Sequence, residues 1–170
     1  NTNNMVETEL REEWSNTVLT TSRYRYAYDA AQNNTLFVAE RLTAGAWVPL
    51  GMDTFIYDAG NNITVSLSKQ WVSGAWVNRY KITNTYNSSN HRIGYLLEQW
   101  NGSSWQNESR NTYNVNATGA VVSDVYEEWI SGAWVTVNRY NYSYDVSNNL
   151  TTYATEQWNG TGWVNKWLYT

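Results

Sequence analysis

Cysteine is absent from this 170-residue chain, histidine occurs once at His91, and proline occurs once at Pro49. The missing cysteines exclude disulfides and thiolate metal centres, and leave the compartment open. One histidine leaves little material for acid–base catalysis or an imidazole-rich metal site. Charge is also scarce: 15% of residues are charged and the net charge is −4, so no nucleic-acid footprint and no nucleic-acid partner are expected. No apolar run approaches the roughly 20 residues of a membrane helix, so membrane insertion is not expected. No secretory leader opens the sequence as given, which fits a cytosolic chain, a processed one or a piece of something longer.

What the chain has is aromatic: 11 Trp, 14 Tyr and 2 Phe, set among Asn, Thr and Ser. Such a mixture suits a half-buried pleated surface. The aromatics are periodic. Gln157-Trp158-Asn159-Gly160-Thr161-Gly162-Trp163 is one of five copies, the others bracketed by Trp71 and Trp76, Trp100 and Trp105, Trp129 and Trp134, and Leu42 and Trp47. Both slots recur every 29 residues, which marks a repeat architecture. Full repeats run 18–46, 47–75, 76–104, 105–133 and 134–162, with partial ones at 1–17 and 163–170, all in a single array over 1–170.

Within each repeat an Asx position, Asp29, Asp58, Asn87, Asn116 or Asp145, follows a β-rich run. Asn and Asp bond their own backbone and tolerate left-handed conformations, so these are turns. Each repeat therefore reads strand, Asx turn, strand, Gly turn, and the chain reads as an all-β antiparallel meander of about twelve strands. The sheet would be an open array or a closed ring or barrel.

Strict alternation predicts the faces. Trp134, Thr136, Asn138, Tyr140, Tyr142 and Tyr144, with Leu150, Thr152, Ala154, Glu156 and Trp158, should share one apolar, buried face. The other face should be solvated, with Arg23, Lys81, Arg110 and Arg139 in a column over tyrosine rings from a Tyr95, Tyr126 and Tyr153 column. Asn1 to Trp14 reads as a return strand and Trp163 to Thr170 as a first strand. Strand addition at those ends is expected to drive self-association, with Met5, Trp14, Trp163, Trp167 and Tyr169 at the assembly interface.

The stretch Tyr142-Ser143-Tyr144-Asp145-Val146-Ser147-Asn148-Asn149-Leu150-Thr151 resembles the YD repeat of Rhs proteins and teneurins, and Tyr57-Asp58-Ala59-Gly60-Asn61-Asn62-Ile63-Thr64 does so nearly as well. That resemblance covers the turn third of each unit. The whole unit is similar to the Trp/Tyr-rich repeats of large secreted surface proteins of Bacteroidetes. The resemblance implies an extracellular or cell-surface location and a structural or adhesive role.

No catalytic residue, cofactor or metal site is expected. His91 occupies an Asn slot of a turn, and Glu98, Glu127 and Glu156 share their slot with Lys69, which favours a repeated edge position over paired catalytic acids. The Asp turns offer one carboxylate each, short of a calcium ligand set. Asn-x-Ser/Thr triplets abound, as composition alone would produce. The serious alternative is a carbohydrate-binding module with glycans as partners. Trp71, Trp76, Trp100, Trp105, Trp129, Trp134, Trp158 and Trp163 would then be its stacking platforms. As hairpin clamps the same rings would bury large aromatic area, and the regular placement favours that structural reading.

Overall fold

The computed structural model describes residues 6–15 and 18–170. Twelve strands follow one another: β1 (Val6–Ser15), β2 (Val18–Tyr28), β3 (Asn34–Thr43), β4 (Ala46–Tyr57), β5 (Ile63–Val72), β6 (Ala75–Tyr86), β7 (Arg92–Trp100), β8 (Trp105–Val115), β9 (Val121–Ile130), β10 (Ala133–Tyr144), β11 (Leu150–Trp158) and β12 (Trp163–Tyr169). They bond in chain order in one antiparallel meander. Among the described residues nothing joins β1 to β12, so the strand order is open. Two compact units are distinguished, Asn1–Lys81 with Trp100–Ser104, and Ile82–Gln99 with Trp105–Thr170.

Both turn families follow from their residues. Ala44-Gly45, Ser73-Gly74 and Ser131-Gly132 are two-residue turns with positive φ at both positions (49° and 80°, 50° and 88°, 52° and 87°), the geometry that matches strand twist. At Asn101 and Asn159 the loop is longer, and the Asn side chain accepts from the N–H groups of Ser103 and Ser104, or Thr161 and Gly162.

At the opposite end of each hairpin the Asx residue accepts two backbone N–H groups. Asp29 holds those of Ala31 and Asn33, Asn87 those of Ser89 and His91, and Asp145 those of Ser147 and Asn149. The left-handed residue lies three positions after the Asx, at Gln32, Asn61, Asn90, Gly119 and Asn148. The expected Asx turns are present.

The register slips beside the Asx turns, at Tyr28, Tyr57, Val115 and Tyr144, and strict alternation fails again at a second recurring place along the strands. Thr136 pairs with Glu127 but Asn138 pairs with Tyr126, leaving Val137 as an extra, bulged residue. Leu50 is extra in β4 and Lys166 in β12, and these three positions lie on the 29-residue grid. Because side chains alternate with period two, one inserted residue reverses the face of everything beyond it.

Trp134 therefore does not share a face with Tyr140 and Tyr142. In the second unit Trp129, Trp134, Trp158 and Trp163 lie with Glu127, Arg139 and Glu156, while Tyr126, Tyr140, Tyr142, Tyr153, Trp167 and Tyr169 lie on the reverse. The expected single aromatic face is replaced by two, one of tryptophan and one of tyrosine. Arg110 and Arg139 fall on the tryptophan side.

The first hairpin departs again. Leu10 faces Arg23 and Trp14 faces Leu19 in unbroken register, so it contains no bulge and no Trp pair.

The expected burial of one apolar face is also corrected. Among the described residues no helix or second sheet covers either side. Among the described residues only Ala27 (8%) and Val38 (5%) are buried apolar residues, while Ile56 and Leu150 are exposed. Aromatic rings shield one another along the sheet instead. Tyr24 stacks on Phe37 at 5.9 Å with Tyr26 tilted against it at 5.4 Å. The trio Tyr140, Tyr153 and Tyr142 repeats this at 6.3 and 5.3 Å. Each contact of this kind adds about 0.5–1.5 kcal/mol beyond area burial.

Candidate functional site

Across each Gly turn the ladder register sets the two Trp slots opposite one another. Trp71–Trp76, Trp129–Trp134 and Trp158–Trp163 meet edge to face at 5.1, 5.0 and 5.4 Å, with planes 72°, 68° and 70° apart. The positive edge of one ring meets the negative face of the other, the favoured quadrupole arrangement. Leu42 faces Trp47 in the copy that lacks the first Trp. Trp100 and Trp105 are half-buried at the two ends of their loop.

These rings have a second partner, an arginine on the tryptophan face of the strand two before the Trp slot. In β10 it lies beyond the Val137 bulge, whereas β2 presents it in unbroken register. Arg23 lies over Trp47 at 4.6 Å, Arg110 over Trp134 at 4.5 Å and Arg139 over Trp163 at 4.5 Å. The intervening strand supplies the carboxylate: Arg23–Glu40 at 2.7 Å, Arg110–Glu127 at 2.5 Å and Arg139–Glu156 at 2.7 Å. So Arg, Glu and Trp on three successive strands link one repeat to the next.

This corrects the column of arginines over tyrosines, and the expected edge position of Glu127 and Glu156. Their side chains are only 14% and 15% exposed. Where Met52 stands in the Arg slot it faces Lys69, and the triad is replaced.

Electrostatics follow the geometry. Hydrogen bonds from Arg23, with help from Arg25, hold the Glu40 carboxyl below its ordinary range against the opposing effect of burial. Arg139 does the same for Glu156. Each carboxylate is therefore ionised and matched where a lone half-buried charge would be costly. Asp124 differs. It lies on the tyrosine face between Tyr113 and Tyr140, and burial raises its pKa although Asn111 donates to it at 2.7 Å.

The expected assembly residues fall in separate places. Met5 lies outside the described residues. Trp14 is 74% exposed on β1. On β12 Trp163 faces the clamp side, while Trp167 and Tyr169 stack at 6.2 Å on the reverse, both 55% exposed. The expected glycan platforms are largely engaged. Six of the eight stand in the edge-to-face pairs, and Arg110 and Arg139 cover Trp134 and Trp163.

One feature was not expected from the residues. An open groove of about 350 Å³ in the second unit lies over Gly94. The signal available for it is on the grid: Leu36, Val65, Ser123 and Thr152 occupy the sister positions, and only this copy has no side chain.

These elements define an antiparallel β-meander of 29-residue hairpins, carried by one sheet. A similar fold is found in a crystal structure of a protein of unknown function from Bacteroides fragilis, at 16% identity and a TM-score of 0.59, covering 70% of this chain and 90% of that one. A DUF3836 family protein from Bacteroides vulgatus is also similar, at 16% identity and a TM-score of 0.43, over 51% of this chain and 90% of the other. No protein-family model and no curated protein matches the sequence.

Proposed function

We propose that this chain is a structural repeat module of an extracellular fibre or cell-surface adhesin, extended by β-strand addition at the sheet edges. The observation that carries this reading is the Arg–Glu–Trp triad. Its recurrence binds a hairpin to its neighbour rather than to a shared core. Stability then accumulates repeat by repeat, as in other quasi-one-dimensional arrays.

The edges support it as well. Among the described residues the outer sides of β1 and β12 pair with no strand. β1 carries Glu7, Glu9, Glu12 and Glu13 against one Arg11, whereas β12 carries Lys166 and no acid. Isolated edge charges hinder pairing of like with like and favour pairing of β12 with β1 of another copy. Main-chain bonds would supply affinity in such a joint. A location outside the cell or on its surface belongs to the same proposal, as does the likeness of the repeat to large secreted surface proteins.

The test is light scattering with negative-stain imaging of the 170-residue chain across concentration. Elongated assemblies that grow with concentration, and that disappear when Trp163 to Thr170 are deleted while the remaining hairpins stay folded, are expected. A monodisperse particle of single-chain mass at every concentration refutes assembly through these strands.

A further inference from the structure

The groove over Gly94 has the chemistry of a small-ligand site, and it lies within one compact unit. Thr83, Thr85, Gly94, Leu96, Thr112 and Trp134 line it together with Tyr95, Asn107, Arg110 and Asn111. The volume, about 350 Å³, falls within the roughly 300–1,000 Å³ of small-molecule clefts. Position 94 has no side chain, and Thr85 leans towards the vacancy, its Cβ 3.2 Å from where a Cβ at 94 would stand.

Some polar groups of this face bond one another: Arg139 and Asn141 bond Glu156, and Asn114 bonds Ser123. The threonines and Asn107 of the groove do not. The hydroxyls of Thr83, Thr85 and Thr112 and the amide of Asn107 take part in no side-chain hydrogen bond among the described residues. Three hydroxyls and an amide converge on a cleft flanked by an indole and a leucine. The one charge at its wall, Arg110, is already neutralised by two hydrogen bonds to Glu127, at 2.5 and 2.9 Å.

From this we infer that the groove over Gly94 binds a neutral, polyhydroxylated ligand, a pyranose ring of a glycan. Hydroxyl and amide groups exchange hydrogen bonds with sugar hydroxyls, while Leu96 and the half-buried Trp134 take the sugar's C–H surface. The neutral wall offers an anion no free counter-charge. The site differs from the row of clamp tryptophans, most of whose rings are occupied by one another. It rests on the groove alone, so its failure would leave the fibre reading untouched.

Amide and indole NMR of the full chain, titrated separately with cellobiose, maltose and lactose and with glucuronic acid as the charged control, tests it. At least one neutral disaccharide should shift the amides of Thr83, Gly94, Leu96 and Thr112 and the Trp134 indole, with a Kd of about 1 mM. Glucuronic acid should bind no better. Thr83→Val with Thr112→Val keeps shape and removes two hydroxyls, and should weaken binding about tenfold or more. Thr54→Val, at the sister position of Thr83 in the other unit, should leave it unchanged. Silence from all three disaccharides up to about 20 mM would overturn the inference, since that ceiling lies well above the expected Kd. So would shifts confined to the other tryptophans, or equal binding by the double valine variant.

Discussion

The ring of His91 rests on Gly119: a Cβ at 119 would stand 2.5 Å from Nε2. These residues belong to neighbouring Asx turns, and elsewhere the tips meet by hydrogen bonds. Asn33 donates to Asn61 at 3.0 Å, and Thr118 to Asn148 at 3.0 Å. A large ring in one turn is thus matched by the loss of a side chain in the next, where φ is +87°. Gly119→Asn should destabilise by about 1–3 kcal/mol through the clash, since Asn tolerates left-handed φ. Adding His91→Asn should recover most of that, because it recreates the Asn–Asn tip. Denaturation midpoints of the two single variants and the double variant decide; simple additivity would show that the ring and residue 119 do not meet.

Trp129 and Trp134 close their hairpin by an edge-to-face contact at 5.0 Å. A double-mutant cycle to leucine should give a coupling of about 0.5–1.5 kcal/mol. Arg110 over Trp134 adds a further dependence, so Arg110→Met should reduce stability in the parent more than in Trp134→Leu. Chemical denaturation of each variant measures both couplings.

Asp124 and the tyrosines set opposite pH limits from those of the paired glutamates. Glu40 and Glu156 have lowered pKa values, so their stabilisation is present above the ordinary carboxylate range and lost as pH falls through the folded values. Asp124 is raised, so stability falls as pH rises from its unfolded value through its folded one. Asp124→Asn should therefore raise the thermal midpoint at neutral pH and lose that advantage in acid.

Burial, with neighbouring Tyr153, pushes Tyr142 up to about 12 from 10.0, so stability should fall as pH rises from the unfolded value towards the folded one. The Tyr142 phenolate should then form only together with unfolding. Ionisation of Tyr142 near pH 10 in a chain that stays folded, followed by site-resolved NMR, would contradict this.

Val137 is the residue inserted in β10. Its deletion should place Tyr140 and Tyr142 on the tryptophan face and Arg139 on the tyrosine face, separating Arg139 from Glu156. Loss of cooperative unfolding, or a drop beyond about 3 kcal/mol, is expected because whole columns are misplaced rather than one contact. Substituting Val137→Thr, which keeps the count, should cost less than about 1 kcal/mol. Equal stability of the deletion and the parent would show that the bulge has no part in sorting the faces.

Much of the fold was legible in the residues. The 29-residue grid located every strand pair joined by a Gly turn from Leu42 onwards, and the Asx positions located the tips. The Trp pairs were legible because the constant five-residue spacing leaves the two slots facing across both the two-residue turns and the longer loop at Asn159. The faces were not. Nothing in the letters around Val137 distinguishes an inserted residue from one in regular alternation, and a single insertion inverts everything that follows. The groove over Gly94 carried a signal, but its meaning depends on Thr83, Thr85 and Thr112, which are brought beside it only by strand pairing.

What the sequence determined by itself is local and periodic: strand, turn and repeat length, because propensity and turn chemistry act over a few residues and were written five times. Tertiary structure decided which side chains share a face, that the described strands form an open order, and that arginine meets tryptophan across a glutamate strand. These depend on hydrogen-bond register between strands. Register is set by the balance of many cross-strand contacts at once, so no single stretch of the chain contains it.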